Sequence, residues 1–195
     1  MIGCSFLIAI YVESDYNSCM KKITTIAQEL LLEVNHKDIA IDFTCGNGND
    51  TFFLGHQFED VHAFDIQQQA IDNTTTMCRY LRNVHIHLDS HEHFDKYTKR
   101  LDAGIFNLGY LPQSDETITT NAKIVIATLD KVWGRMNYEG RIVLVLYPGF
   151  ASGKKEACMI EEYCNTLESK YFDVMKYQLI NRNDAPYILC IDYHR

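Results

Sequence analysis

Short runs of β-type residues alternate with longer stretches of helical spacing, and this alternation restricts the possible folds more than any other feature of the chain. The strand candidates are IAIDF (39 to 43), VHAFD (61 to 65), VHIHL (84 to 88), AGIFN (103 to 107) and RIVLVLY (141 to 147). The spacing predicts helices over 49 to 58, 67 to 82, 91 to 99, 117 to 137 and 153 to 169. An amphipathic helix comes before the first strand, where Ile23, Ile26, Ala27, Leu30, Leu31 and Val34 recur. Such alternation demands a mostly parallel α/β sheet with crossover helices on both faces. The last two strand candidates, YFDVMKYQLI and PYILCIDYH, have no helix pattern between them. A parallel crossover needs a dozen or more residues, so these two strands form an antiparallel pair.

A chain of 195 residues, 47% hydrophobic, suffices for one substantial core. We find no internal repeat or linker, which gives one domain over residues 20 to 195, with residues 1 to 19 read as an appendage or a misplaced start before Met20. The N-terminal MIGCSFLIAIYVE is too short to span a bilayer and lacks a basic lead, since the first cation is Lys21. The seven cysteines form no C-x-x-C pair and are odd in number, which suits reduced thiols in a cytoplasmic protein without a membrane partner. A net charge of -8 speaks against gripping long nucleic acid by counterion release. A small nucleic-acid target stays open through local cations such as Lys96, Lys99 and Arg100, or Lys154 and Lys155, although a solvated face explains each of them more simply.

In an open α/β sheet, ligands bind beyond the carboxyl ends of the strands, where the strand order reverses. The first strand ends there in IAIDFTCGNGNDTFFLG. Gly46 and Gly48 allow close approach of backbone to ligand. A dinucleotide fingerprint would place a third glycine at position 51, but the residue is Thr51, with Asn47, Asn49 and Asp50 crowding the turn. A pyrophosphate at a helix N-terminus wants bare amides. Asp42 and Asp50 suit a cation instead, and S-adenosylmethionine carries a sulfonium and an ammonium but no phosphate. Asp65, ending the second strand, stands where a carboxylate can accept both hydroxyls of an adenosine ribose. Nicotinamide folds use an acid at the same place, so Asp65 alone leaves the cofactor undecided. Asp89, Ser90 and His91 follow the third strand and could edge the adenine; a solvated turn favours the same residue types.

The fourth strand ends in FNLGYLP, Phe106 to Pro112. An asparagine at a strand end, followed by an aromatic, resembles the Asn-Pro-Pro-Tyr loop of methyltransferases that modify exocyclic amines. A nitrogen nucleophile has N–H groups to be held by an amide oxygen and backbone carbonyls, while an aromatic face stacks on a flat base. Asn107, the Leu108 carbonyl and Tyr110 are the candidates; a turn cap and a half-buried aromatic are the structural alternatives. Gly109, Leu111 and Pro112 share the loop, and Thr117, Thr119 and Thr120 offer hydroxyls, one of which could cap the next helix. Tyr147, in the turn Tyr147 to Phe150, and Lys154, at the next helix, lie on the same rim. The cluster His85, His87, His91 and His93 invites a metal reading, but no accompanying ligand motif supports it, and polar packing is preferred.

Taken together, DFTCGNGNDTFFL, AFDIQQQAIDNT, DSH, FNLGYLPQSDETITTN and GRIVLVLYPGF with the later GKKEA resemble one family, from about Met20 to the C-terminus. It comprises bacterial class I methyltransferases labelled as rRNA methylases and related to the enzyme that methylates 5-aminomethyluridine at the tRNA wobble position. The resemblance implies a Rossmann-like seven-stranded sheet with an antiparallel last strand, S-adenosylmethionine as methyl donor and the tRNA anticodon loop as partner; a homodimer is compatible with it. Carried onto this chain, Asn47, Gly48, Asp50 and Thr51 line the methionine end, Asp65, Ile66 and Gln67 the ribose and adenine, Ser90 and His91 the adenine edge, and Asn107 to Tyr110 the methyl group. One departure stands out: relatives often read Y-H-G-H where this chain has Tyr147-Pro148-Gly149-Phe150.

The expected reaction is direct in-line methylation of the neutral primary amine on the wobble uridine, without a covalent intermediate. A methyltransferase of rRNA or of a small amine is the alternative. A nicotinamide-dependent oxidoreductase and a non-catalytic binding module stand further off.

Overall fold

The computed structural model describes residues 21–109, 121–149 and 151–194. Among the described residues thirteen main elements follow in order: α1 (Ile23–Leu31), β1 (Ile39–Asp42), α2 (Asn49–Gly55), β2 (Asp60–Asp65), α3 (Gln68–Met77), β3 (Val84–Leu88), a 3₁₀ segment (His91–Lys96), β4 (Leu101–Asn107), α4 (Ala122–Trp133), β5 (Met136–Leu146), α5 (Ala151–Cys164), β6 (Phe172–Tyr177) and β7 (Tyr187–Tyr193). The strands form one seven-stranded sheet in the order β3-β2-β1-β4-β5-β7-β6. β1 to β5 pair in parallel, and β7 runs antiparallel to both β5 and β6. This is the Rossmann-like arrangement of the class I methyltransferase fold, as the strand pattern and the resemblance imply. The expectation for residues 1 to 19 lies outside the described residues.

Alternation along the strands builds two cores, because successive side chains of a strand point to opposite faces. On one face Ile41, Phe106, Ile142, Leu144, Leu189 and Ile191 pack with Val125, Leu129 and Val132 of α4 and Ile160 of α5. On the other, Ala40, Val61, Ala103, Ile105, Val143, Val145 and Ile188 pack with Ala27, Leu30 and Leu31 of α1 and Leu54 of α2.

The helices expected over 67 to 82 and 153 to 169 end earlier, at Met77 and Cys164, and two further expectations shift. The predicted helix at 91 to 99 is a short 3₁₀ segment, because the chain wraps around Asp89, which accepts from the Ser90 N–H (2.8 Å) and the Tyr97 hydroxyl (3.1 Å) and pairs with His93 (2.7 Å). The predicted helix at 117 to 137 begins, within the described residues, at Ala122, capped by the Asn121 side chain accepting from the Lys123 N–H (2.9 Å). It stops at Trp133, since Met136 already pairs with Leu101 in the sheet.

A buried cation holds α1 on the sheet. Arg141 of β5 donates through Nη2 to Asp192 of β7 (2.9 Å), and through Nη1 to the Leu30 carbonyl and Glu33 of α1 (2.7 Å each). Arg141→Ala strands a carbonyl and a partly covered carboxylate. It should destabilise the protein by about 3 kcal/mol, near the low end for a broken buried pair because Asp192 keeps some solvent. Chemical denaturation of the variant beside the wild type measures this.

Candidate functional site

The strand order reverses between β1 and β4, and the chain segments leaving these two strands meet at their carboxyl ends. Asp42 ends β1 and is fully buried. Its Oδ1 accepts from the Thr44 N–H (3.1 Å) and its Oδ2 from the Thr51 hydroxyl (2.6 Å). Burial, and next the Asp50 carboxylate, raise its pKa to about 7. The turn that follows needs glycine for its backbone, with φ of 50° at Gly46 and 83° at Gly48. A Cβ on Gly48 would also lie 2.8 Å from the Thr74 Cα, so the close approach expected there is to α3.

Asp65, ending β2, closes the turn from the side. Its Oδ2 accepts from the Gly46 N–H (3.1 Å) and its Oδ1 from the Gln67 N–H (3.0 Å), and burial raises its pKa. Asp65 thus shapes the turn while its carboxylate, which has about four acceptor sites, retains capacity for a further donor. Asn47 is exposed and accepts from the Asn73 amide (2.9 Å). Ile66 is 64% exposed on the same rim, and Gln67 precedes the first turn of α3.

From β4, Asn107 enters the same space. Its backbone N–H donates to the Thr44 hydroxyl (2.8 Å), which stitches the ends of β1 and β4 together. Its side-chain Nδ2 donates to Asp50 Oδ2 (3.0 Å), and its Oδ1 accepts from the Tyr147 hydroxyl (2.9 Å) at the end of β5. Asp50, 7% exposed, accepts at its other oxygen from Gln28 of α1 (2.8 Å). Burial, then Asp50, push the Tyr147 hydroxyl up to about 12, so it stays a donor at neutral pH. Leu108 is half-buried, donates its N–H to the Val145 carbonyl (2.9 Å), and packs on the core; Gly109 is half-buried beside the Tyr147 ring.

The structure therefore brings Asp42, Gly46, Gly48, Asp50, Thr51, Asp65, Asn107 and Tyr147 together. Gln28 and Thr44 belong to the same network, yet the sequence singled out neither. Thr44 sits within the quoted turn, whereas nothing in the spacing of α1 marks Gln28. Other expected residues make their described contacts outside this network. His91 is buried, its Nδ1 2.9 Å from the Thr128 hydroxyl and its ring edge-on to Phe43 and Phe106. Asp89 binds the 3₁₀ segment as described, and Ser90 precedes it. Lys154 pairs with Asp184 (3.2 Å), Lys96 with Asp89 (3.8 Å), and Lys99 donates to the Asp95 carbonyl (3.1 Å). Tyr110, Leu111, Pro112, Thr117, Thr119, Thr120 and Phe150 lie outside the described residues.

The strand histidines pack against one another and their neighbours. His87 stacks on Phe64 (ring centroids 4.7 Å apart) and lies against Tyr97 (4.0 Å), while its Nε2 hydrogen-bonds His62 Nδ1 (3.0 Å). Burial holds His87 down at about 4, so it is neutral near pH 7.

The turn suits a cationic ligand by its donor set. The described hydrogen bonds to Asp42, Asp50 and Asp65 come from hydroxyl, amide and backbone groups, and among the described residues none comes from lysine or arginine. Three carboxylates without a neighbouring cation repel a phosphate and attract a sulfonium or ammonium.

Comparison with known proteins agrees with this geometry. Residues 61–192 match the family described as "Putative rRNA methylase". A chloroplastic tRNA (mnm(5)s(2)U34)-methyltransferase of Arabidopsis thaliana is 31% identical over 189 residues, taking in 87% of this chain and 68% of that protein. SMU.1697c of Streptococcus mutans, a methyltransferase crystallised in complex with SAH, superposes with a TM-score of 0.82 at 34% identity, over 89% of this chain and 99% of that one. An rRNA-methylase structure from Clostridium thermocellum gives 0.84 at 34% identity, over 89% and 98%. The N-methyltransferase NodS of Bradyrhizobium japonicum, at 11% identity and 0.66 over 88% and 94%, shares the fold alone. The chain thus belongs to the rRNA methylase family, class I methyltransferases that depend on S-adenosylmethionine and act on rRNA or tRNA.

Proposed function

We propose that this protein methylates the 5-aminomethyl group of the tRNA wobble uridine, giving 5-methylaminomethyluridine. The observation that carries the reading is the Asn107 amide, held between Asp50 and Tyr147 at the edge of a carboxylate-lined glycine turn. The wobble-uridine specificity in the name of the Arabidopsis relative supports the choice of substrate.

When bound, S-adenosylmethionine supplies a methyl group already activated on a sulfonium. Asn47, Gly48, Asp50 and Thr51, with Asp42 and Gly46 behind them, would hold its methionine end; Asp65, Ile66 and Gln67 would hold the ribose and adenine, and Asp89, Ser90 and His91 would form the adenine edge. The ionised Asp42 and Asp65 would complement the positive charges. Asn107 Oδ1 and the Leu108 carbonyl would accept the N–H groups of a neutral amine, leaving its lone pair directed at the methyl. Gly109, Tyr110, Leu111, Pro112, Thr119, Thr120, Tyr147 and Lys154 would bind the RNA, with Tyr110 stacking on the base. No covalent intermediate is needed, so positioning dominates, and it can supply roughly 7–11 kcal/mol of the barrier.

The direct test is nucleoside mass spectrometry of tRNA from cells lacking the protein. Unmethylated aminomethyluridine should accumulate, and the purified protein with S-adenosylmethionine should convert it. An unchanged profile, or equal methylation of rRNA or of tRNA lacking the aminomethyl group, rejects the assignment.

Two substitutions separate the roles. Asn107→Ala should lower kcat about a hundredfold with donor affinity nearly intact, whereas Asp65→Ala should weaken donor binding at least tenfold, through lost charge-assisted hydrogen bonds; steady-state kinetics and calorimetry read the two. Asp42 adds a pH dependence. Its folded pKa of about 7 lies above the unfolded value of 3.8. Its contribution to stability is therefore present at acid pH and is lost as pH rises through about 7. A cationic donor favours the ionised form, so donor affinity should rise several-fold over the same interval. Asp42→Asn should flatten both trends, raising the melting temperature of the free protein at pH 8 by several degrees while weakening donor binding there.

A further inference from the structure

We propose that Gln28, on α1, is a positioning residue for the reacting amine and acts through Asp50 to fix which way the Asn107 amide faces. The inference rests on the role of Asn107 given above. Four side chains, from α1, α2, β4 and the turn after β5, form one chain of hydrogen bonds: Gln28 Nε2 donates to Asp50 Oδ1 (2.8 Å), Asn107 Nδ2 donates to Asp50 Oδ2 (3.0 Å), and the Tyr147 hydroxyl donates to Asn107 Oδ1 (2.9 Å).

An asparagine amide turned over presents NH2 where its oxygen stood, and the two faces have almost the same shape. The difference is decisive for a nitrogen nucleophile. An amide oxygen takes up the amine's N–H and leaves its lone pair free; an amide NH2 would bind that lone pair. Tyr147 cannot choose between the faces, because a hydroxyl both donates and accepts. Asp50 can, because a carboxylate only accepts, so Nδ2 must face it and Oδ1 must face away. Asn107 Oδ1 then retains one lone pair beyond the bond from Tyr147.

Asp50 makes this choice only while its own carboxyl group is held, and the hold comes from Gln28. Gln28 is fixed in turn by the burial of its neighbours Ala27, Leu30 and Leu31 and by the Arg141 clamp on the Leu30 carbonyl. α1 is thereby wired into the site from the end of the network opposite Tyr147.

A charge-swap cycle tests the proposal. Gln28→Glu sets a second carboxylate against Asp50 and removes the donor, so kcat at saturating donor should fall about tenfold. In the Asp50→Asn background the same change should cost less than about threefold, since the introduced amide can donate its NH2 to the introduced carboxylate while its oxygen still accepts from Asn107. An independent readout is the Asn107 side-chain amide resonance, identified by its loss in Asn107→Ala. Its solvent exchange should be slow in the wild type, accelerate about tenfold or more in Gln28→Glu, and slow again in Gln28→Glu/Asp50→Asn. Equal effects of Gln28→Glu in both backgrounds, or no effect of it on kcat and exchange, would overturn the inference. If Asn107→Ala keeps full turnover, the role of Asn107 in the reaction fails. The exchange cycle still shows separately whether Gln28 orients the amide.

Discussion

The site depends on one constraint, the parallel pairing of β1 with β4 at the point where the strand order reverses. Asp42 lies opposite Ile105 in that pairing, and the Thr44 hydroxyl takes the Asn107 N–H just beyond it. A glycine turn and an acceptor loop separated by about sixty positions in sequence are thereby brought to hydrogen-bonding distance. Helices on both faces bury the sheet, so this junction opens only at the carboxyl edge.

Electrostatics at that edge have a single sign. Asp42, Asp50 and Asp65 share a partly dry turn, and the described bonds to them come from hydroxyl, amide and backbone donors. Burial and mutual repulsion lift Asp42 towards neutrality. A ligand with positive charge relieves the repulsion; a nucleotide phosphate would worsen it. Selection between a sulfonium donor and a dinucleotide therefore begins with the absence, among the described residues, of a cation hydrogen-bonded to these carboxylates, and the third glycine matters less.

Much of the fold was legible in the sequence because the inner strands are buried on both faces and so read as continuous apolar runs. Val143 and Val145 face one core and Ile142 and Leu144 the other, which is why a short β-branched run such as RIVLVLY suits a strand buried on both faces. Legibility fell where local pattern and long-range contact disagree. Residues 91 to 96 have helical spacing, but the pull of Asp89 on Ser90, His93 and Tyr97 tightens them into a 3₁₀ segment. His91 stood in the sequence beside three other histidines, and only the fold places its ring edge-on to the stacked pair Phe43 and Phe106, with its Nδ1 2.9 Å from the Thr128 hydroxyl of α4.

The sequence by itself determined the order of strands and helices, the antiparallel end, the glycine turn and the acidic character of the site, since each is written in residues close together along the chain. Tertiary structure alone decided that Gly48 gives way to α3, that Asp65 braces the turn through the Gly46 N–H, and that Gln28, Asp50, Asn107 and Tyr147 form one network. A hydrogen bond between residues far apart in sequence leaves no periodicity to read. Its existence depends on the angle and register at which whole elements pack.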